Sequence, residues 1–343
     1  MDAPRDTARA PGPYAIRRLP TMSDVARQAG VSRQLVSLVL RNAPGPSGES
    51  RERVLAAAAA LGYRANAPAR LLRQKRTRLI GALYWMRNPF ESNLVEELFE
   101  RAPRRGFGLV LGPVTAERPV EIVAGELLEQ RVEALIGFVP DDWTPPVDTV
   151  AHVPIVYLGG PVPDADNVHI DNVTGMQLAI EHLAALGHRR IGHLRGDGNA
   201  GRARTDAYLA AMRAAGLEPE ILGDGWGEEA GADLGRRLIA ASSRPTAIMC
   251  SSDQSAAGLL AVLARGGVRV PQDLSVIGWD DSYVASLSYH NLTSVRQEIA
   301  ATAEASLDLS IRRLDDPVAP FSTVLTPARL VVRSSTAAPA AAG

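Results

Sequence analysis

The chain has 343 residues, of which 46% are hydrophobic and 22% are charged. This length exceeds one compact core of ordinary size, so we expect a small module joined to a larger body with two cores. No run of about 18 apolar residues is present, which excludes a membrane-spanning protein. The first twenty residues lack the apolar segment of a signal peptide and Cys250 is the single cysteine, so we expect a cytoplasmic protein without disulfides.

Charge is distributed unevenly along the chain. Residues 1–80 contain 15 Lys and Arg against 5 Asp and Glu, whereas the remainder is acidic. Clustered cations neutralise phosphates, and an acidic remainder does not adhere to nucleic acid. A solvated basic tail would produce the same imbalance, so the motifs of this region have to decide between the two interpretations.

Local signals in this basic region predict a helix, a turn and a second helix. Thr21 and Asp24 have the spacing of a capping box, which begins a short helix. Gly30 supplies a tight turn, and Ser32 can cap a helix over residues 33–40. An αα-hairpin without a DNA role is the alternative, and the positive charge of the region disfavours it.

The second helix has one apolar and one polar side. Val36, Val39 and Leu40 recur at helical spacing and are expected to pack inward. The polar residues near its N-terminus can then meet DNA, because Arg pairs with guanine, Gln with adenine, and hydroxyls with phosphates. A third helix is predicted from Ser47 to about Gly62, so that three helices share one small core.

The runs MSDVARQAGVSRQLVSLVL and SRERVLAAAAALGYRANAPARLL resemble the lactose/galactose-repressor (LacI/GalR) family of bacterial transcription regulators. Later segments add to this resemblance: residues 88–90, 182–191, 252–254, 276–281 and 292–297. The resemblance implies that Arg33 and Gln34 are the main specificity pair. Leu38 stands where the family commonly has an Arg that contacts DNA, and Arg41 replaces a common Asn, so a different operator is expected. The candidate DNA-binding residues of this region are Thr21, Ser32, Arg33, Gln34, Ser37 and Arg41.

A basic segment follows the third helix. Pro68 suits a first helical turn, and the segment is too short to be a stable helix alone, so we expect it to fold on DNA against a second copy. By resemblance it is a hinge helix that enters the minor groove, where Leu72 opens a base step and bends the duplex. A leucine of the dimer core is the alternative for Leu72. The candidate DNA-binding residues of the hinge are Asn66, Ala69, Arg70 and Leu72.

The remainder of the chain alternates strands and helices. Buried-strand patterns occur at 79–84, 108–111 and 134–139, and again at 191–194, 247–250 and 274–278. Two doubly wound α/β lobes follow, with a ligand expected at the carboxyl ends of the strands. The fold class is thus an all-α helix-turn-helix domain and hinge helix, then an α/β body resembling periplasmic binding proteins.

The chain is expected to consist of two terminal tails, a helix-turn-helix domain, a hinge and two lobes. The lobes are expected to connect near Ile170, Gln297 and Phe321. The expected segments are a disordered tail (1–20), the helix-turn-helix domain (21–66), the hinge (67–77), the N-lobe (78–170 and 298–320), the C-lobe (171–297 and 321–335) and a second disordered tail (336–343).

Side chains for an effector are expected at these strand ends. By resemblance, Arg204 and Asp280 would bind a hydroxylated ligand, and Trp226 would stack on a sugar face. The other candidates are Trp85, Phe90, Phe138 and Ser252. Because Phe138, Gly159 and Ser252 stand where relatives often carry Asn or Asp, a sugar with an apolar substituent or a glycoside fits better than a bare monosaccharide.

No catalytic motif is apparent. The chain has no phosphate-binding glycine loop after the strand at 79–84 and no His-x-x-x-His helix, and the histidines are scattered. We therefore expect a homodimeric DNA-binding regulator that is not an enzyme, has no cofactor or metal, and releases a near-palindromic operator when a sugar or glycoside binds. The open alternatives are a purine or nucleoside effector and a ligand that promotes DNA binding.

Overall fold

The computed structural model describes residues 18, 20–63, 76–140, 143 and 153–340. The chain divides into two compact units, residues 1–76 and 77–343. We call the described part of the first unit the head (20–63) and that of the second the body (77–340). The hinge candidates Asn66, Ala69, Arg70 and Leu72 lie outside the described residues, as does most of the N-terminal segment.

The head is a three-helix unit whose boundaries agree with the local signals. Its helices are α1 (Met22–Ala29), α2 (Arg33–Leu40) and α3 (Gly48–Leu61). Thr21 and Asp24 form the predicted capping box, and Gly30 ends α1 at a φ of 66°, a conformation that favours glycine. The Ser32 hydroxyl accepts a hydrogen bond from the Leu35 N–H, so the predicted cap of α2 is confirmed.

The core of the head is small and apolar. Val25, Val36 and Val54, one from each helix, are fully buried, and Val39 is nearly so. Leu40 packs against the same cluster, which confirms the predicted inward face of α2. One side of α2 is therefore used for folding, and its other side is left for solvent or a ligand.

The first lobe of the body is a parallel sheet with helices on both faces. The sheet order is β11-β5-β4-β3-β1-β2. Its elements are β1 (Leu79–Trp85), α4 (Pro89–Arg101), β2 (Gly108–Val114), α5 (Val120–Glu129), β3 (Ala134–Gly137), β4 (Ile155–Leu158), β5 (Asp166–Ile170), α11 (Ile299–Asp315) and β11 (Thr323–Thr326), with a 3-10 turn at Ala102–Arg105. The cores on its two faces contain Ile80 with Ile136, and Leu83 with Leu135.

The second lobe repeats this architecture. Its sheet order is β12-β10-β9-β8-β6-β7, and β12 is antiparallel to β10 while the other pairs are parallel. Its elements are α6 (Asn172–Ala185), β6 (Ile191–Arg195), α7 (Gly198–Ala214), β7 (Glu220–Asp224), α8 (Glu228–Ala240), β8 (Ala247–Cys250), α9 (Asp253–Arg265), β9 (Ser275–Asp280), α10 (Tyr283–Ser286), β10 (Thr293–Gln297) and β12 (Ala328–Val331). Two doubly wound lobes thus form the body, as the strand pattern predicted.

The chain passes between the two sheets three times. It leaves the first sheet after Ile170, returns after Gln297, and leaves again between Thr326 and Ala328. The third connection, predicted near Phe321, is wrong, because β11 follows Phe321 and still pairs with β5 in the first sheet. Since a β-strand can pair with either sheet, its place is set by its neighbours and not by its own residues.

The C-terminal segment is also different from the prediction. A disordered tail was expected from residue 336, but the Ala337 carbonyl accepts hydrogen bonds from His188 Nε2, at 2.8 Å, and from the Ser275 hydroxyl, at 3.1 Å. The Ala337 N–H donates back to Ser275. These long-range contacts hold a segment whose Ala- and Pro-rich composition indicates no structure by itself. Within the described residues, no helix is both long and apolar enough to cross a membrane.

Candidate functional site

The head exposes most of the polar side chains that were predicted to meet DNA. Arg33 and Gln34 are exposed on the first turn of α2, and Ser37 is half-buried one turn later. Arg41 is also exposed, and its Nε donates to the Ser37 carbonyl at 3.1 Å, so its side chain folds back along the helix. These groups form a basic and polar surface opposite the buried valines.

Two residues of the head that were predicted to contact DNA, Thr21 and Ser32, also form hydrogen bonds that cap helices. The Thr21 side chain is half-buried and donates to Asp24 Oδ2 at 2.7 Å, and hydrogen bonding from Thr21 lowers the pKa of Asp24. The Ser32 hydroxyl caps α2 at 3.1 Å from the Leu35 nitrogen. Both hydroxyls therefore fix helix ends, and the backbone amides beside them are the groups that suit a phosphate.

The sequence interpretation missed Arg51. Its guanidinium donates to the Asn42 side-chain oxygen at 2.7 Å and to the Ala43 carbonyl at 3.0 Å. Asn42 has a φ of 54°, so these bonds hold a left-handed turn at the end of α2. Arg51 thereby sets the position of the exposed helix relative to α3. An Asn just after a helix was the available signal for this turn.

In the body, the predicted effector residues lie at the carboxyl ends of strands in both lobes. Trp85 ends β1 and is 38% exposed. Phe90 follows on α4 and is buried, and its ring lies edge-to-face against Phe138, with 6.0 Å between centroids. The first lobe therefore contributes an aromatic wall.

The second lobe contributes a buried cation between two indole rings. The Arg204 guanidinium carbon lies 5.0 Å from the Trp226 ring centroid and 4.7 Å from that of Trp279. Arg204 is only 5% exposed, and burial lowers its pKa to about 10 while Asp280 and Asp253 oppose the shift. One guanidinium nitrogen donates to the Ser251 carbonyl at 2.7 Å. Such stacking fixes the plane of the guanidinium and leaves its edge for acceptors.

Asp280 lies beside this guanidinium at the end of β9. One of its carboxylate oxygens is 3.9 Å from Arg204 Nη2 and accepts a hydrogen bond from Gln297 Nε2 at 2.6 Å. Burial raises the pKa of Asp280, and the charge of Arg204 opposes that rise. A carboxylate and a guanidinium at one strand end can bind neighbouring hydroxyls, which is the chemistry predicted for this position.

A clamp that the sequence interpretation missed holds Asp280 in place. Both Asp280 and Asp281 have positive φ, 112° and 50°, so the backbone here is strained. The Asp281 carboxylate forms ion pairs at 2.6 Å with both Arg296 and Arg333, and its N–H donates to the Ser294 hydroxyl. The clamp therefore ties the end of β9 to β10 and to the C-terminal segment, which come together only in the fold.

Glu91 is a second buried carboxylate that the sequence interpretation missed. It is 4% exposed and accepts hydrogen bonds from the Trp85 N–H at 2.7 Å and from the Asn88 side chain at 2.9 Å. Burial raises its pKa to about 8, and the negative charge of Asp280 in the other lobe adds to this effect. Glu91 is therefore a buried carboxyl group at the start of α4, close enough to Asp280 of the other lobe for the two charges to oppose each other.

The remaining candidates are Trp226 and Ser252. The Trp226 ring packs on Gly196, where any Cβ would overlap it, and its Nε1 donates to Asp197. Ser252 is buried, caps α9 by accepting from the Ser255 N–H, and donates to the Trp226 carbonyl. Its hydroxyl is thus already bonded within the protein, and its contribution to the site is to hold Trp226.

The two lobes are close together at this edge of the body. A Cβ on Gly160 would lie 2.9 Å from the Ala200 nitrogen of the other lobe. Gln254 Nε2 donates to the Arg87 carbonyl at 3.2 Å, again from one lobe to the other. We call the region between the lobes at this edge the cleft, and we assign to it the side chains described above: Trp85, Phe90, Glu91, Phe138, Arg204, Trp226 and Asp280.

His188, His193 and Cys250 are buried among other protein groups. His188 Nδ1 lies 2.8 Å from the Thr246 hydroxyl, and burial lowers the pKa of His193 to about 4. Cys250 is buried on β8, and burial raises the pKa of its thiol. Among the residues that the structure describes, no group of three His, Cys, Asp or Glu side chains could hold a metal ion.

A three-helix unit with an exposed polar helix suits DNA binding, and a two-lobed body with aromatic and charged side chains between its lobes suits a small ligand. Residues 21–66 match the family of bacterial regulatory proteins, lacI family, and residues 180–336 match the periplasmic binding protein-like domain. The chain is 31% identical over 328 residues to the HTH-type transcriptional repressor PurR of Mannheimia succiniciproducens, covering 92% of this chain and 98% of that protein. The chain therefore belongs to the lacI family of bacterial regulatory proteins.

Other relatives agree with this assignment. The ribose operon repressor of Escherichia coli K12 is 33% identical over 310 residues, covering 87% of this chain and 94% of that protein. A crystal structure of the lac repressor dimer bound to operator and the anti-inducer ONPF superposes with a TM-score of 0.81 at 28% identity, covering 94% of this chain and 100% of the other. The family and fold predicted from the sequence are confirmed, and because these relatives are repressors, so is the expectation of a regulator and not an enzyme.

Proposed function

We propose that the chain is a homodimeric repressor in the cytoplasm whose hold on a near-palindromic operator is relieved when a small effector binds the cleft. Arg33 and Gln34 would read base edges, since their side chains are exposed and free of the core. Thr21, Ser32, Ser37 and Arg41 would orient the head on phosphates. The hinge residues Asn66, Ala69, Arg70 and Leu72 would enter the minor groove between the heads.

The effector that fits the cleft best is a glycoside or a sugar with an apolar substituent. The observation that carries this proposal is the stack of Arg204 between Trp226 and Trp279, beside the carboxylate of Asp280. The Arg204 Nε is buried without a hydrogen-bond partner among the described residues, so it can donate to a ligand oxygen. The Phe90 and Phe138 rings of the first lobe supply the surface for the apolar part.

A purine or nucleoside is the second candidate. Trp226 and Trp85 are partly exposed indoles on which a base could stack, and a protonated Glu91 could donate to a ring nitrogen. The similarity to a repressor named PurR is compatible with this class, whereas the similarity to a ribose operon repressor favours a sugar.

A dimer is supported by the exposed edge of the first sheet. β2 is the outer strand, and Leu111 on it is 39% exposed, while Ile122 on the neighbouring α5 is 50% exposed. Large apolar side chains beside an unpaired strand edge suit burial against a second copy. Two heads on one dimer would match the two half-sites of a palindrome.

The proposal is tested by combining ligand screening with DNA binding. Thermal unfolding of the full chain is followed with panels of glycosides, free sugars and nucleosides, and operator duplexes are selected from random DNA by the same protein. We expect a glycoside to raise the melting temperature and to weaken operator binding. Stabilisation by nucleosides alone would replace the sugar assignment. Tighter operator binding with ligand would reverse the direction of control.

A further inference from the structure

The side of α2 that carries the exposed Gln34 and Arg41 also carries one apolar residue, Leu38. At ~100° of rotation per residue, Gln34, Leu38 and Arg41 succeed one another at intervals of four and three residues, so they form one stripe. Val36 and Val39 project from the opposite side and are buried. Leu38 therefore lies between a side chain predicted to read bases and an exposed arginine.

Leu38 does not belong to the apolar core of the head, as far as the described residues show. The apolar cluster that joins the three helices includes Val36 and Val39, and Leu40 packs against it, but Leu38 is not part of this cluster of described residues. Its side chain is only partly buried. Folding of the head thus explains the other apolar residues of the second half of α2 and leaves Leu38 unexplained.

The chemistry of the major groove suggests a partner for this side chain. Base edges there present hydrogen-bond donors and acceptors, and the single apolar group among them is the C5 methyl of thymine. A leucine side chain neither donates nor accepts a hydrogen bond. Against any other base edge it would displace water from polar groups of the base and leave those groups without a hydrogen-bond partner. Contact with a methyl group instead buries apolar surface on both partners.

We propose that Leu38 is a specificity-determining residue that contacts the C5 methyl of one thymine in each operator half-site. This inference rests on operator binding by the head and adds the chemistry of one base position. The contact is expected about one helical turn away from that of Gln34, because Leu38 follows Gln34 on the same stripe. The half-site is thereby selected for a methylated pyrimidine at that position.

The test removes the methyl group and leaves the base pair intact. Operator duplexes are selected from random DNA with the full chain, and each thymine of the half-site is then replaced in turn by deoxyuridine. Affinity is measured by fluorescence anisotropy at one salt concentration. We expect deoxyuridine at a single position to weaken binding by the wild-type protein about fourfold per half-site, the effect of one buried methyl group. A duplex in which that T:A pair is replaced by 5-methylcytosine:G shows whether the methyl group alone maintains the affinity when the rest of the thymine base is absent.

Two variants show whether the effect of the thymine methyl group on affinity depends on Leu38. Leu38→Ala is expected to bind the thymine duplex more weakly and to lose its sensitivity to deoxyuridine at that position. Leu35→Ala removes the same side chain from the same helix, at a residue that is also only partly buried and outside the core cluster, and is expected to keep that sensitivity. Circular dichroism melting checks that both variants remain folded.

The possible outcomes separate the inference from the function on which it rests. If no duplex is enriched, operator binding fails and the role of Leu38 fails with it. If a duplex is enriched but no thymine shows a methyl effect, only the role of Leu38 is overturned. The same holds if Leu38→Ala responds to deoxyuridine as strongly as the wild type.

Discussion

In the head, Arg33 and Gln34 project into solvent from α2, whereas in the body Arg204 and Glu91 are 5% and 4% exposed. The exposed pair contributes little to the stability of the head and is available to a large polyanion. The buried pair is part of the packing of the body and can serve only a small molecule that enters the cleft. Function and stability are therefore separable in the head and coupled in the body.

Arg204→Met is expected to produce the largest change. It removes the cation from between two indoles and leaves the Asp280 carboxylate buried without it, which costs about 3–5 kcal/mol. Urea unfolding of the body, followed by tryptophan fluorescence, measures the loss. Arg202→Met on the same helix is the control, because Arg202 is exposed and should change stability by less than about 0.5 kcal/mol. If the two variants are equally stable, Arg204 does not contribute to the stability of the body, and function and stability are not coupled there.

Arg33→Ala should have the next largest effect, and only on DNA. A lost bidentate base contact weakens specific binding by about 1–3 kcal/mol per half-site, while binding to random DNA should change much less. The melting temperature of the head should not change, because the side chain is exposed. Affinities for operator and random duplexes at matched salt measure both effects. Equal losses on the two duplexes would remove Arg33 from base reading.

Ser32→Ala and Ser47→Ala sharpen the comparison within the head. Both hydroxyls cap helices, Ser32 to the Leu35 N–H at 3.1 Å and Ser47 to the Ser50 N–H at 3.3 Å. Each variant should lose about 1 kcal/mol of stability. Below the melting temperature, Ser32→Ala alone should also weaken operator binding, because only Ser32 begins α2, the helix whose exposed residues are proposed to contact bases. An equal loss of affinity in Ser47→Ala would mean that helix stability, and not the Ser32 hydroxyl, matters to DNA.

Glu91→Gln should change how the stability of the body depends on pH. The pKa of Glu91 is raised from 4.5 to about 8, so the stability that its acid form confers is complete below 4.5 and is lost as the pH rises through about 8. The wild-type body should therefore lose stability between about pH 6.5 and pH 8, and the variant should lose less. Burial also raises the pKa of Asp253, so the stability of the Glu91→Gln variant should still decrease to some extent as the pH rises. His193, with a lowered pKa, acts in the opposite direction but at lower pH.

Melting temperatures of the wild type and Glu91→Gln across this range measure the difference. Glu96→Gln is the control, because Glu96 lies on the same helix and is exposed. Identical pH profiles for the wild type and Glu91→Gln would show that Glu91 is ionised in the folded protein. That result would remove its proposed role as a donor in the cleft.

Much of the fold could be predicted because its signals are local. The capping pair at Thr21, the turn at Gly30 and the cap at Ser32 each act within four residues, so short-range chemistry alone determines them. The strands β1, β3 and β8 are almost continuously buried, and their apolar runs show this directly. The sheet to which β11 belongs had no such signal, because pairing partners are distant in the chain.

The candidate site could be predicted in part. Arg204, Trp226 and Asp280 were predicted from the family resemblance, and the structure brings them together at one end of the second sheet. Glu91 was missed because its sequence position suggests an ordinary helical glutamate, and only the packed lobe buries it. The Asp281 clamp was missed because Arg296 and Arg333 reach it from other strands and segments.

The sequence by itself determined the helices of the head, the residues that α2 exposes, the alternation of strands and helices, and the family. These properties depend on caps, turns and periodicity, which operate over one or two turns of chain. The tertiary structure alone decided which carboxylates are buried, how Arg204 is stacked, and where the chain crosses between lobes. Burial and charge pairing depend on groups that are far apart in the sequence. The pKa of a side chain depends on the same surrounding groups, so it too is decided by the tertiary structure.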